Sequence, residues 1–324
     1  MITIFDDQTS HVLTADVITS ETLRTARWID LSSPTREEEL AVERTLQLEI
    51  PTREEMQEIE TSSRLYHESG ALFMTATIVA YADSGSPIST AVTFILRPDC
   101  LITVRYAEPR PFQMAATNFT QRPMFYPDSS STMLMVLEAL TDRIADLLER
   151  ANENLDAVSA TIFSAAHTAK TKSSVNFKQV LINIGKNGDL VARIRESLTS
   201  ITRVYTYVGE AERLPQFEQC REELAALKSD LASLTDHAGF LTNKISFLLD
   251  ATLGMVNIEQ NEIIKAMSVA ATVFLPPTLI ASAYGMNFDF MPELHWHWAY
   301  PIVVGAMITS GVLPYLFFKR KGWV

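Results

Sequence analysis

The segments 266-AMSVAATVFLPPTLIASAYGMNF-288 and 299-AYPIVVGAMITSGVLPYLFF-318 contain no Asp, Glu, Lys or Arg. At about 1.5 Å of rise per residue, helices of about 23 and about 20 residues each cross the roughly 30 Å hydrocarbon core of a bilayer. A soluble protein can bury one helix that is apolar all round, but two such runs side by side at one end of a chain read as membrane spans. Lys265 precedes the first run and 319-KRK-321 follows the second, whereas the connecting segment 289-DFMPELHWHW-298 has neither Lys nor Arg. The positive-inside rule then places both termini in the cytoplasm and the connecting loop outside. Trp296 and Trp298 on one side, and Tyr315 and Trp323 on the other, suit the two membrane interfaces.

The chain has 324 residues, a net charge of −12 and a pI near 5.0. That balance excludes a nucleic-acid partner, because phosphate binding requires clustered Lys and Arg, and it favours cations. The N-terminus, MITIFDDQTSHVLT, lacks the basic start and apolar stretch of a secretory signal, so most of the chain is expected to stay cytoplasmic. Cys100 and Cys220 have no metal-ligand spacing and suit a reducing compartment.

Outward from the membrane runs, the first third (1–128) reads as an α+β domain with a small mixed sheet. The runs 27-RWIDL-31, 71-ALFMTATIVAYA-82, 90-TAVTFIL-96 and 101-LITVRY-106 are rich in β-branched and aromatic residues and are separated by turn formers. Helix starts are expected at 34-PTREEELAVERTLQ-47 and 51-PTREEMQEIE-60, each with Pro ahead of acidic residues. No glycine-rich phosphate loop, nucleophile elbow or catalytic carboxylate pair stands in a recognisable context, which argues against an enzyme and a catalytic cofactor. From Ser129 to residue 263 the chain turns helical: Leu137, Leu140, Ile144, Leu147, Leu148, Leu155, Val158 and Ile162 recur at helical spacing. A helix over about 177–208 follows. A last one opens near Leu214 and runs on the order of 90 Å as a stalk into the first membrane run (264–286), without a break.

Two membrane helices cannot enclose a polar pathway, so transport requires a ring of subunits in which one helix lines the pore. In steps of three, four or seven, one stripe of the long helix carries Asp250, Asn257, Asn261, Ile264, Met267 or Ser268, Ala271, Leu275, Thr278 and Ser282. Around a ring, this order gives polar groups, an apolar constriction able to close by dewetting, and hydroxyls beyond it. A coiled-coil seam with polar register positions has the same spacing. Pro276-Pro277 removes two backbone donors within the span and frees carbonyls near Thr272 and Val273, which suits either a pore or an ordinary kink.

The segment 274-FLPPTLIASAYGMNFDFMPEL-294, with 299-AYP-301 and the basic tail 319-KRKGWV-324, resembles the CorA family of magnesium channels, whose hallmark is Gly-Met-Asn at the outer end of the first membrane helix. The stretch 245-ISFLLDATLGMVNIEQNEIIKAMSVAATVFLPPTL-279 is similar to the end of that family's stalk, and 28-WIDL-31 resembles its N-terminal strand. The resemblance implies a homopentamer in the inner membrane that passes Mg2+ down the membrane potential, with Co2+ and Ni2+ as accompanying substrates. It implies an outer selectivity ring at Gly285, Met286 and Asn287, polar pore rings at Asp250, Asn261 and Thr278, and an apolar gate at Ile264, Met267 and Leu275. The zinc branch of the superfamily usually has another residue between Gly and Asn, so Met286 favours magnesium. A membrane-anchored scaffold is the alternative from another class.

Asp289 and Glu293 in the outer loop (287–298) are candidate cation collectors. The alternating 295-HWHW-298 offers only two imidazoles and suits an interfacial cluster better than a metal site. The family also closes its channel when Mg2+ binds between the cytoplasmic domain of one subunit and the stalk of the next. Here the matching helix position reads Gln57-Glu58 and the stalk position Ala226, with Asp230 one turn on, so Glu58 and Asp230 are the expected regulatory pair.

Overall fold

A computed structural model describes residues 1–6, 10–13, 20–58, 60–167, 176–210, 220–286 and 291–323. The chain divides into two units, Met1–Leu249 and Asp250–Val324.

Among the described residues, the first unit is built on seven strands: β1 (Ile2–Phe5), β2 (Ser10–Leu13), β3 (Trp28–Ser32), β4 (Leu65–Glu68), β5 (Ala71–Ala80), β6 (Ile88–Leu96) and β7 (Leu101–Arg105), in the order β2-β1-β3-β7-β6-β5-β4. Every neighbouring pair is antiparallel except β3–β7, which makes the sheet mixed, as the sequence predicts. All ten residues of β5 are buried, which explains a near-continuous apolar run where a half-exposed strand would alternate. The β5–β6 hairpin turns at Tyr81 (φ 56°) and Gly85 (φ 77°), both left-handed.

The parallel β3–β7 pair is fixed by a buried polar network. Arg105 Nη2 donates to Asp30 Oδ2 at 2.8 Å, Thr103 Oγ1 to Asp30 Oδ1 at 2.7 Å, and Trp28 Nε1 to Thr103 Oγ1 at 3.0 Å. Trp28 is stacked on Phe5 of β1 at a ring separation of 4.3 Å.

The helices of this unit are α1 (Ser20–Thr25), α2 (Arg36–Leu46), α3 (Thr61–Arg64), α4 (Arg110–Gln121), α5 (Ser129–His167), α6 (Phe177–Glu210) and the first part of α7 (Arg221–Tyr284). A capping box starts α2, with Thr35 and Glu38 closing on each other's backbone, and Gln47 (φ 54°) ends it. The second helix start, expected at 51–60, gives only a single 3-10 turn, Glu55–Gln57, followed by the four-residue α3. Thr52 and Glu55 do make reciprocal capping bonds (2.8 and 3.3 Å), but Met56 is the one buried apolar side chain of the turn, and a cap cannot sustain a helix with no apolar face to bury.

All eight apolar residues expected to form the stripe on α5, from Leu137 to Ile162, are buried. α5 is tied to α7 by Lys244, whose Nζ donates to Asn152 Oδ1 and Asp156 Oδ1, each at 2.8 Å, and by Phe163 stacked on Phe247. The expected break at 170–174 and the expected start of the last helix near Leu214 lie outside the described residues. Cys100 and Cys220 are free and buried.

The second unit holds the rest of α7, a 3-10 turn (Pro292–His295) and α8 (Ala299–Arg320). α7 stays helical through Pro276 and Pro277. Both apolar helices are long enough to span a membrane, and almost none of their apolar length is buried within the chain, unlike the core helix of a soluble protein.

Candidate functional site

Within the second unit, α8 covers one face of α7. Beyond Val256, the partly or fully buried positions of α7 are Val269, Val273, Pro276, Pro277 and Ile280, at helical spacing. On α8 the matching half-buried positions are Val303, Val304, Met307, Ser310, Gly311, Pro314 and Phe318. The two helices come closest at Gly311, where an added Cβ would lie 3.3 Å from Pro277 Cγ and 3.4 Å from the Val273 carbonyl oxygen.

The stripe picked from the sequence is the opposite face. Asp250, Asn257, Asn261, Ile264, Met267, Leu275 and Thr278 are all exposed, with Ile264 at 59%, Met267 at 69% and Leu275 at 66%. At about 100° per residue, this stripe is centred roughly 180° from the face that α8 covers. The Thr278 hydroxyl donates to the Phe274 carbonyl at 2.7 Å, so its proton is committed to the helix and its lone pairs are left to accept.

At the outer end, the helical hydrogen bonding continues to Gly285, whose N–H donates to the Ala281 carbonyl at 2.9 Å. A Cβ at Gly285 would lie 3.2 Å from the same oxygen, a tight contact that a side chain there would relieve only by a small shift of the turn. Met286 is half exposed. Asn287 and Asp289 lie outside the described residues. Glu293 belongs to the turn Pro292–His295, and Trp296 and Trp298 are exposed at 59% and 66%.

The two residues expected to form a regulatory pair sit in different surroundings. Glu58 follows the Glu55–Gln57 turn, its carbonyl accepting from Arg64 Nε. It lines a cavity of about 560 Å³ together with Glu43, Glu49, Glu55, Glu68 and Arg36. Tyr66 on this cavity has its phenol pushed up to about 12, by burial first and then by the charges of Glu68, Glu55 and Glu49. Asp230 is exposed on α7 and does not line that cavity. Its electrostatic neighbours are Asp142 on α5 and Tyr205 on α6. The Asp142 carboxyl is raised above the usual carboxylate range by burial, then by Asp146 and Asp230, and Glu138 is raised by burial, then by Asp142 and Glu223. Sequence reasoning missed this acidic stripe. Its signal was Glu138, Asp142 and Asp146 at successive steps of four on one helix face. Among the described residues, no group of three or more His, Cys, Asp or Glu converges to hold a metal ion.

The pattern of the family described as "CorA-like Mg2+ transporter protein" matches residues 24–320. The chain belongs to the CorA family. The magnesium transport protein CorA of Escherichia coli is 33% identical over 326 positions, covering 100% of both chains. That of Haemophilus influenzae is 32% identical over 304 positions, covering 93% of each. In fold, the chain is similar to the complete structure of the CorA magnesium transporter from Methanocaldococcus jannaschii, with a TM-score of 0.74, 17% identity, and coverage of 100% of this chain and 99% of that one. The mixed sheet, the long helix and the two apolar C-terminal helices are therefore the CorA architecture, and the relatives carry the names of transport proteins, not of enzymes.

Proposed function

We propose that this CorA-family chain assembles as a homopentamer in the cell inner membrane, with both termini cytoplasmic, and carries Mg2+ passively down the membrane potential, with Co2+ and Ni2+ as accompanying substrates. The observation that carries this reading is the exposure of the whole stripe from Asp250 to Thr278 on the face of α7 turned away from α8. In a ring, that face lines the axis, while α8 stands outside it against lipid.

The chemistry of the stripe suits a small, tightly hydrated divalent cation. Mg2+ sheds water reluctantly, so the amides of Asn257, Asn261 and Asn287 and the acceptor lone pairs of Thr278 would engage the waters of a still-hydrated ion. Neutral oxygens hold it loosely enough to let it leave. Cys and His ligands, which retain zinc and copper, are missing from the stripe. Gly285, Met286 and Asn287 form the selective mouth, Asp289 and Glu293 raise the local cation concentration, and Ile264, Met267 and Leu275 form the apolar gate. Entry is downhill, since a divalent ion crossing 100 mV gains about 4.6 kcal/mol, twice the single-charge value. Glu58 and Asp230 of neighbouring subunits are assigned to a Mg2+-dependent closing site.

Reconstitution into liposomes, with Mg2+, Co2+ and Zn2+ uptake compared under the same imposed potential, tests this reading. Mg2+ uptake is expected to exceed Zn2+ uptake and to rise with inside-negative potential. Zinc uptake above magnesium uptake, or no flux of any of the three, would overturn it.

A further inference from the structure

Pro276 and Pro277 do more than bend α7. The Val273 carbonyl would ordinarily accept from the N–H of residue 277 in an α-helix, or of residue 276 in a 3-10 turn. Both are proline, so this oxygen loses both of its regular donors in the middle of an apolar span. The hydroxyls nearby are committed elsewhere: Thr272 Oγ1 donates to the Ser268 carbonyl at 2.8 Å, and Thr278 Oγ1 to the Phe274 carbonyl at 2.7 Å. Gly311 of α8 lies over this oxygen and over the proline ring that created it. A methyl group at 311 would stand 3.4 Å from Val273 O and 3.3 Å from Pro277 Cγ. By contrast, a methyl group at Gly305, nearly two turns earlier on the same helix, would meet nothing within 4 Å.

We infer that Gly311 is a positioning residue for ion passage: it seats α8 on the proline break of α7 and so fixes the stance of Leu275 and Thr278 on the opposite, pore-facing side. The inference rests on the channel reading above. With no side chain at 311, the α8 backbone has room to lie against the Val273 carbonyl and the Pro277 ring. The rigid proline ring cannot move aside, so a side chain at 311 pushes the two helices apart. Leu275 and Thr278 lie within two residues of the contact and shift with α7.

The test uses the full-length protein in liposomes, with Mg2+ flux measured against concentration and assembly followed by light scattering. Gly311→Ala, which adds one carbon, is expected to cut maximal flux about fivefold and Gly311→Val, which adds three, about thirtyfold, within the range that overpacking gives. The Mg2+ concentration for half-maximal flux should hold constant, because the outer mouth is untouched. Gly305→Ala should behave as wild type. In a Pro277→Ala background, which removes the ring atom and restores a donor for Val273, the Gly311→Ala penalty should fall to less than half. A general packing defect would show no such pairing with position 277. Full flux in Gly311→Val, an equal loss in Gly305→Ala, or no relief from Pro277→Ala would each overturn the inference. Should Gly311→Val fail to assemble, Gly311→Ala and the double variant decide the matter. A wild-type protein that carries no Mg2+ would instead sink the channel reading, and the inference with it.

Discussion

Replacing Asp30 with Ala removes the acceptor at the centre of the β3–β7 pairing. Asp30 accepts three hydrogen bonds from Arg105, at 3.2, 3.2 and 2.8 Å, and one from Thr103 at 2.7 Å. The Asp30 and Arg105 side chains are 7% and 6% exposed, so in the Ala variant a guanidinium is left buried without its main partner. Removing one member of a buried pair costs about 3–5 kcal/mol. Arg105 keeps a bond to the Ala107 carbonyl at 2.8 Å and an ion pair with Glu108 at 3.2 Å, which points to the lower end, about 3 kcal/mol. Trp28 supplies the assay: the other three tryptophans are Trp296, Trp298 and Trp323, so a background with those three changed to Phe leaves Trp28 as the only indole. Urea unfolding of the detergent-solubilised protein, followed by Trp28 fluorescence, should show Asp30→Ala about 3 kcal/mol less stable, with Asp30→Asn between it and wild type. A loss below about 1 kcal/mol would refute the reasoning, because the pair would then count for no more than an exposed one.

Thr278→Val keeps the side-chain shape and removes the acceptor; losing one hydrogen bond of about 1 kcal/mol predicts a roughly fivefold fall in Mg2+ flux, with Thr278→Ser near wild type. If Leu275 belongs to the apolar gate proposed above, Leu275→Ser should wet it and leave flux measurable at internal Mg2+ concentrations that silence the wild-type protein, as read by liposome uptake. Asp142→Asn should stabilise the first unit at neutral pH. The folded-state carboxyl is raised by burial, Asp146 and Asp230, so the wild-type protein loses stability as pH rises from the unfolded value of about 3.9 through the folded one. The gain should disappear below about pH 3.5, and a destabilised variant at pH 7 in thermal melts would contradict this account.

The membrane pair was legible because an uncharged run of bilayer length leaves few other readings, and the α5 stripe because eight apolar residues share one period. β3, β5, β6 and β7 were legible from their apolar runs. β1, β2 and β4 were not, since four-residue strands such as Ser10–Leu13 and Leu65–Glu68 hold too few side chains to show alternation. The parallel β3–β7 pairing depends on Asp30 meeting Arg105, 75 residues away, which no local pattern carries. The stripe from Asp250 to Thr278 could be picked by spacing, but the same spacing fits a coiled-coil seam; the structure adds that the stripe lies opposite the face nearest α8. Gly311 gave no signal at all, because its meaning lies in what it approaches. The role of Asn287 rests on the family resemblance, and that of Asp289 on its negative charge in the outer loop.

The central claim, that the Gly-Met-Asn segment forms the selective mouth of a magnesium channel, is tested most directly by Mg2+ uptake into liposomes carrying wild-type protein or Asn287→Ala under an inside-negative potential. The wild-type protein should take up Mg2+ in proportion to the potential, and the variant should lose that flux or its preference for Mg2+ while assembling to the same mass. Unchanged flux and unchanged ion preference in Asn287→Ala would contradict the claim.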